Sequence, residues 1–288
     1  MLIRDFLCFS GGSEEEVMQL IRMKRLPIPD IYTECEWIVR FAMMERNRSG
    51  NPFCTVPFDH TLEAQAMGGR VRYGDGTAGP RACDYICQSL EEVEKLPGID
   101  IENGRMRETL EAGRILRESG YEVLFQISGP FTIWNTLIDI KSIFKGIRKE
   151  PNRMEKLFGR MEAELLGLIG AVRRSGVRFF SYADSAGGMR ILGPHMMEWA
   201  TEYFTYGFLK KSEELLGKDG IMMLCPQTAY ALKDMGYAQT EEITLPETMS
   251  YGNACLFLPG RAKFVGQICI NRQNQILEDR KIQTIALK

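Results

Sequence analysis

The feature that most constrains this chain is the regular exchange of strand-like and helix-like segments from residue 100 onward. GRMRETLEAGRILRESG (104–120) has the apolar spacing of a helix and closes on Gly120, and YEVLFQIS (121–128) reads as a buried strand leading into GPFT and a further helix. A long amphipathic helix is expected over 151–175, opened by Pro151 and followed by Gly176, with the strand VRFFSYAD (177–184) after it. The helix PHMMEWATEYFTYGFLKKSEELLG (194–217), the strand GIMMLC (220–225), the short helix AYALKDMG and three late β-like runs, ACLFLP, KFVGQICI and KIQTIAL, complete the series. Such alternation implies an α/β fold with parallel strands. Counting strands near 53, 99, 121, 177, 220, 241 or 254, 264 and 281 gives about eight, which favours a (β/α)8 TIM barrel over an open doubly wound sheet.

Residues 1–50 read as an amino-terminal helical cap and 51–288 as the barrel. Ser13 precedes EEEVMQLIRMK, and Asp30 precedes a second run with apolar Ile31, Cys35, Ile38, Phe41 and Ala42. RNRSGNP (46–52) breaks this pattern ahead of the strand FCTVP (53–57). Lys plus Arg (36) nearly balance Asp plus Glu (38), which provides no global field for nucleic acid or anionic lipid. No apolar run approaches the roughly 20 residues that span a bilayer, and Asp5 interrupts the apolar amino terminus, so neither a membrane segment nor a secretory signal is expected. A cytoplasmic location follows by default. The eight cysteines, Cys8 among them, are scattered, which favours thiols or metal ligands over disulfides.

In a barrel the chemistry sits at the carboxyl ends of the strands, which directs attention to His60, Ser128 to Thr132, Tyr182, Asp184, Cys225 and Cys269. Cys225 and Cys269 could offer two thiolates to one ion, with His60 as third ligand and Glu63 or Cys54 behind it; zinc usually takes three protein ligands when it is catalytic. The bland alternative is that both cysteines pack and His60 caps a helix. Asp184 could accept hydrogen bonds from a ligand, move a proton, or cap a loop. GDGTAG (74–79) matches G-x-G-x-x-G, but Pro80 follows at once and no long strand precedes it, so a glycine-rich surface loop is expected. His195 reads as a surface or capping residue, and Cys83 with Cys87 as a shared helical face without chemistry.

Several stretches, in order, resemble the uroporphyrinogen decarboxylase superfamily, which includes cobalamin-dependent methyltransferases. They are PFCTVPFDHTLEAQAMGG (52–69), YGDGTAGP (73–80), LFQISGPFTIWNTLID (124–139), VRFFSYADSAGGMRILGPHMMEWATEYF (177–204), IMMLCPQTAYALKDMG (221–236) and KFVGQICIN (263–271). The resemblance implies a (β/α)8 barrel, and the short spacing of Cys225 and Cys269 is consistent with a trimmed one. The decarboxylase branch works without metal and holds substrate carboxylates with an amino-terminal glycine and arginine motif, an aspartate, a tyrosine and a late histidine. Here no such motif precedes residue 50, Thr136 stands where the tyrosine falls, and no late GHG segment exists.

The methyltransferase branch binds zinc through a His-x-Cys pair and a distant cysteine, which activates a substrate thiol. The resemblance places Cys225 at the first cysteine and Cys269 at the second, only 44 residues on, but Met223 at the histidine, leaving His60 to complete a zinc site. It implies a methyltransferase that moves a methyl group between a corrinoid on a carrier protein and a small-molecule donor or acceptor, with Asp184 and Tyr182 positioning the substrate. Two alternatives are a metal-free decarboxylase with a cationic pocket and a barrel that binds corrinoid without turnover.

Overall fold

The computed structural model describes residues 13–288, so the amino-terminal stretch bearing Asp5 and Cys8 lies outside the described residues. Helix α1 (Ser13–Lys24), a single turn (Asp30–Thr33) and α2 (Cys35–Ser49) come first, and Gly50 ends α2 at φ +69°, a left-handed conformation suited to glycine. Met18, Ile21, Ile31, Tyr32 and Phe41 form a small apolar cluster of their own. Ile38 and Ala42 of α2 instead join the main core, so the helical segment is continuous with the body of the protein.

Seven strands form the central sheet: β1 (Phe53–Val56), β2 (Glu122–Ser128), β3 (Phe179–Ala183), β4 (Ile221–Leu224), β5 (Ala238–Thr244), β6 (Phe264–Val265) and β7 (Lys281–Leu287). Their order is β1-β2-β3-β4-β6-β7-β5. The first five in that order run parallel, and β7 is antiparallel to both β6 and β5. Strands β1 and β5 are the edges, and among the described residues no pairing joins them into a closed ring. The expected parallel α/β succession is present, with barrel-like order and an open side.

Two expected strands are absent, for local reasons. The segment at 99 is a loop: the Ile99 amide donates to the Glu164 carboxylate at 2.8 Å and the Asp100 amide to the Ala66 carbonyl at 3.2 Å, so its donors are satisfied outside any ladder. The run ACLFLP starts inside a helical turn (Tyr251–Leu256), whose Ser250 hydroxyl accepts from the Asn253 amide. The 241 alternative is the strand that exists.

Between strands lie α3 (Gly104–Glu118), α4 (Pro130–Leu137), α5 (Ile140–Lys149), α6 (Pro151–Arg174), α7 (Met189–Ala200), α8 (Tyr206–Leu216) and α9 (Pro226–Asp234). Helices α7 and α8 are joined through a π turn, Thr201–Thr205, which carries out the long helix expected from 194 onward. Proline opens α4, α6 and α9, where its fixed φ suits the first helical position and its missing N–H costs nothing.

Strand alternation sorts the side chains onto two faces. Cys54, Val56, Val123, Phe125, Ile127, Phe180, Tyr182, Met222 and Leu224 pack outward in the main core with the helices. Phe53, Leu124, Phe179, Ile221, Met223 and Val265 face inward against Tyr251, Ala254, Cys255, Leu258 and Leu277. The strands are apolar on both faces because both are covered, as parallel sheets require. No helix of the described residues is long and apolar enough to cross a membrane.

Candidate functional site

The inward face changes character along the strands. One row pairs Thr55 with Leu124, Phe179 and Ile221 in register, and it is mostly apolar. The next row toward the carboxyl ends pairs Gln126, Ser181, Met223 and Val265. Above it Ser128 pairs with Ala183, and Cys225 follows β4 with the same parity. Gln126, Ala183 and Cys225 are half-buried, whereas Leu124, Phe179 and Ile221 below them are fully buried. The lower half is therefore plugged with hydrocarbon and the upper half is a mouth lined by amide, hydroxyl and thiol groups.

At the β1–β2 corner, Gln126 Nε2 donates to the Pro57 carbonyl at 2.6 Å, and His60 Nδ1 lies 3.5 Å from Ser128 Oγ. Burial pushes the His60 imidazole below its ordinary pKa, while nearby Asp59 opposes the shift. Glu63, on the short helix Leu62–Ala66, has no solvent exposure; its Oε1 accepts the Ser128 amide at 2.8 Å and its Oε2 has no partner among the described residues. Burial raises the Glu63 carboxyl above the usual range, against the hydrogen bonds from Ser128.

Beside this corner Arg105 of α3 forms a buried ion pair with Asp59. Its Nε donates to the Tyr32 carbonyl at 2.9 Å, and its Nη1 reaches Asp59 Oδ1 at 3.3 Å, Thr61 Oγ1 at 3.0 Å and Gln65 Oε1 at 3.4 Å. The guanidinium is thus used to tie α3 to the β1 corner and the first helices. A cleft of about 630 Å³ lies behind it, between the starts of α2 and α3. The Cys35 thiol there is pushed up to about 11 by burial and by Glu111 and Glu108, which makes it a poor nucleophile.

Asp184 follows β3 and serves helix α4. Thr132 N and Thr132 Oγ1 both donate to its Oδ1 at 2.7 Å, and Phe131 N donates to its Oδ2 at 3.1 Å. Of the three roles open to it in the sequence, capping of a loop and helix accounts for both oxygens. Tyr182, expected beside it as a substrate-positioning group, turns outward: its ring lies 5.3 Å from Phe208, among the helices and not in the mouth. The parity of β3 fixes this, because Phe180 and Tyr182 share a face that Ser181 does not.

Burial pushes the Asp184 carboxyl up to about 6, partly offset by its hydrogen bonds from Thr132 and Phe131. The folded protein therefore holds this proton more tightly than the unfolded chain, whose aspartate titrates near 3.8. The Asp184 contribution to stability is fully present below that value and is lost as pH rises through about 6. Asp184→Asn is expected to reduce the pH slope of the unfolding free energy across this window in urea melts; an unchanged slope would contradict the assignment.

The expected metal set is not assembled. Cys225 stands at the start of α9, with its amide donating to the Tyr182 carbonyl at 2.9 Å. Cys269 is buried near Tyr251, and its carbonyl accepts the Arg272 amide at 2.8 Å. His60 sits with Ser128 at the other side of the parallel strands. Among the described residues no three His, Cys, Asp or Glu side chains gather as a metal ion would need, and Met223, a weak donor, packs with the inward apolar cluster. These residues do not suit zinc.

The remaining motifs take their bland roles. The 74–79 loop is fastened by Arg22 Nη1 donating to the Gly76 carbonyl at 2.6 Å, and a side chain at Gly74 would strike the Ala78 carbonyl. His195 is exposed beside Glu198. The helical face expected to carry both Cys83 and Cys87 does not form: the segment is irregular, with Cys83 exposed and Cys87 buried.

A family model for uroporphyrinogen decarboxylase matches residues 16–267, most of the chain. The chain belongs to the uroporphyrinogen decarboxylase family. Among individual proteins it is similar to a methylcobamide:CoM methyltransferase, MtaA, of Methanosarcina barkeri, with 21% identity over 83% of this chain and 71% of that protein. A second, MtbA of Methanosarcina acetivorans, is 31% identical over 36% of this chain and only 32% of its own length. A solved structure described as a methyltransferase from Methanosarcina mazei superposes with a TM-score of 0.63 at 20% identity, covering 76% of this chain and 66% of that one. At that identity the superposition speaks for the fold, and it supports the barrel-like reading of this family member's open sheet.

Residue patterns left the Arg105–Asp59 pair and the role of Ser181 unread. Strand parity would have found Ser181, since alternation from the apolar Phe179 places it on the inward face. Nothing local signals Arg105, whose partners lie 40 or more residues away.

Proposed function

We propose that this protein is a methyltransferase that moves a methyl group between a corrinoid carried by a partner protein and a small molecule seated in the mouth of the sheet. Support comes from the similarity to methylcobamide:CoM methyltransferases over 83% of the chain, together with a polar upper half on the inward face of the parallel strands. The corrinoid, when bound by its carrier, supplies an electrophilic methyl group. Gln126, Ser181 and Ser128 offer hydrogen bonds that hold the small molecule, and the Cys225 thiol lines the rim. Asp184 acts through α4 and the turn after β3, keeping one wall of the mouth in place. Gln227 does the same for the next wall, its Oε1 accepting the Met189 amide at 2.8 Å.

The decarboxylase reading asks for cations facing the substrate. Arg105, the arginine beside the mouth, is buried and saturated by Asp59, Thr61, Gln65 and Tyr32. Methyl transfer is tested by incubating the protein with methylcobalamin and 2-mercaptoethanol. Protein-dependent loss of the methylcobalamin absorbance with formation of the methyl thioether is the expected result. Neither change above the protein-free control, with carbon dioxide released from a tetrapyrrole carboxylate instead, would overturn the reading.

A further inference from the structure

We infer that the small molecule bound in this mouth is uncharged at the end that enters it, and that the site discriminates against anionic analogues carrying a sulfonate or carboxylate there. The inference rests on the methyl-transfer reading and narrows it to a substrate class. The lining is neutral from row to row. Gln126, Ser181, Met223 and Val265 form one register row, and Ser128, Ala183 and Cys225 stand above it. None carries a cationic group, and two of them, Ser128 and Ser181, are almost fully buried; His60, whose Nδ1 lies 3.5 Å from Ser128 Oγ, is the titratable base beside this lining, and its burial favours the neutral imidazole.

The groups behind this lining strengthen the bias. Glu63 lies behind Ser128, its Oε1 on the Ser128 amide and its Oε2 without a partner among the described residues, so a carboxyl group backs this part of the lining. The guanidinium at the β1 corner, Arg105, is 7% exposed and spends its donors on the Tyr32 carbonyl, Asp59, Thr61 and Gln65. An anion placed against Ser128 and Gln126 would leave water without gaining a counter-charge, which is costly in a half-enclosed site. A hydroxyl or thioether of the same size would exchange water for the Gln126 amide and the two serine hydroxyls at little loss.

A matched pair of thiols separates charge from shape: 2-mercaptoethanol and 2-mercaptoethanesulfonate share the reactive thiol and the two-carbon spacer. Calorimetric titration of the full chain with each is expected to show the uncharged thiol binding at least about tenfold more tightly, since an unpaired buried anion is penalised far beyond that of a neutral group. Gln126→Arg, which adds a cation to the same row, is expected to reverse the order. Equal or tighter binding of the sulfonate by the parent protein would overturn the inference, as would failure of both thiols to bind. Binding with the expected preference but no methyl transfer from methylcobalamin would defeat the enzymatic reading while leaving the charge selectivity standing.

Discussion

Arg105→Met is expected to lower the free energy of unfolding by about 3–5 kcal/mol, the usual cost of stranding one partner of a buried ion pair. Asp59 and Arg105 side chains are 6% and 3% exposed, so water cannot replace the lost guanidinium. The same substitution frees the Tyr32 carbonyl and Thr61 hydroxyl of their donor, and loosens the contact between α3 and the β1 corner. Adding Asp59→Leu to Arg105→Met should recover part of the loss, because the orphaned charge disappears with it. Urea unfolding followed by circular dichroism reads both numbers. A cost below about 1 kcal/mol, typical of a surface pair, would show that the pair is not sealed as described.

Gly129→Ala is expected to cost about 2–4 kcal/mol, from lost charge-assisted cap bonds and steric displacement. A Cβ at position 129 would fall 2.4 Å from Asp184 Cβ and 2.5 Å from its carboxyl carbon. Gly129 has φ −79°, which any residue adopts, so the penalty comes from the collision and not from backbone strain. The carboxylate must leave its place over α4, and its bonds from Phe131 and Thr132 go with it. In the Asp184→Gly background the atoms that an alanine at 129 would strike are gone, and the double variant should lose clearly less than the sum of the two separate costs. Strict additivity, or a Gly129→Ala protein as stable as its parent, would contradict the cap.

Much of this architecture is legible in the sequence because it depends on local rules. Pro130, Pro151 and Pro226 mark helix starts, and the apolar runs at 122–128, 179–183 and 221–224 are strands close to their expected limits. The failures come where partners are remote. Ile99 and Asp100 look strand-like in isolation, but Glu164 and Ala66 take their amides. The antiparallel placement of β7 against both β6 and β5 depends on the return of the chain after residue 244, which no periodicity encodes. The candidate site divides in the same way. Strand ends locate His60, Ser128 and Cys225 at the right end of the sheet, whereas Tyr182 and Asp184 are separated from the mouth by one step of strand parity and by a helix in need of a cap. The proposed ligand set required Cys225, Cys269 and His60 to converge, and residue type alone carries no information about that distance.

Methyl transfer on the upper half of the inward face is tested by the rate from methylcobalamin to 2-mercaptoethanol with Ser181→Leu beside the parent protein. Ser181 is 3% exposed and pairs in register with Gln126 and Met223, so a leucine there fills the space between them with hydrocarbon. Overpacking of this kind costs about 1–3 kcal/mol, and a circular dichroism melt verifies that the variant remains folded at the assay temperature. A folded variant with its rate reduced at least about tenfold, as expected for misplacing a bound reactant, would place the reaction in the mouth. A folded variant that transfers methyl groups at the parent rate would put the reaction outside the mouth.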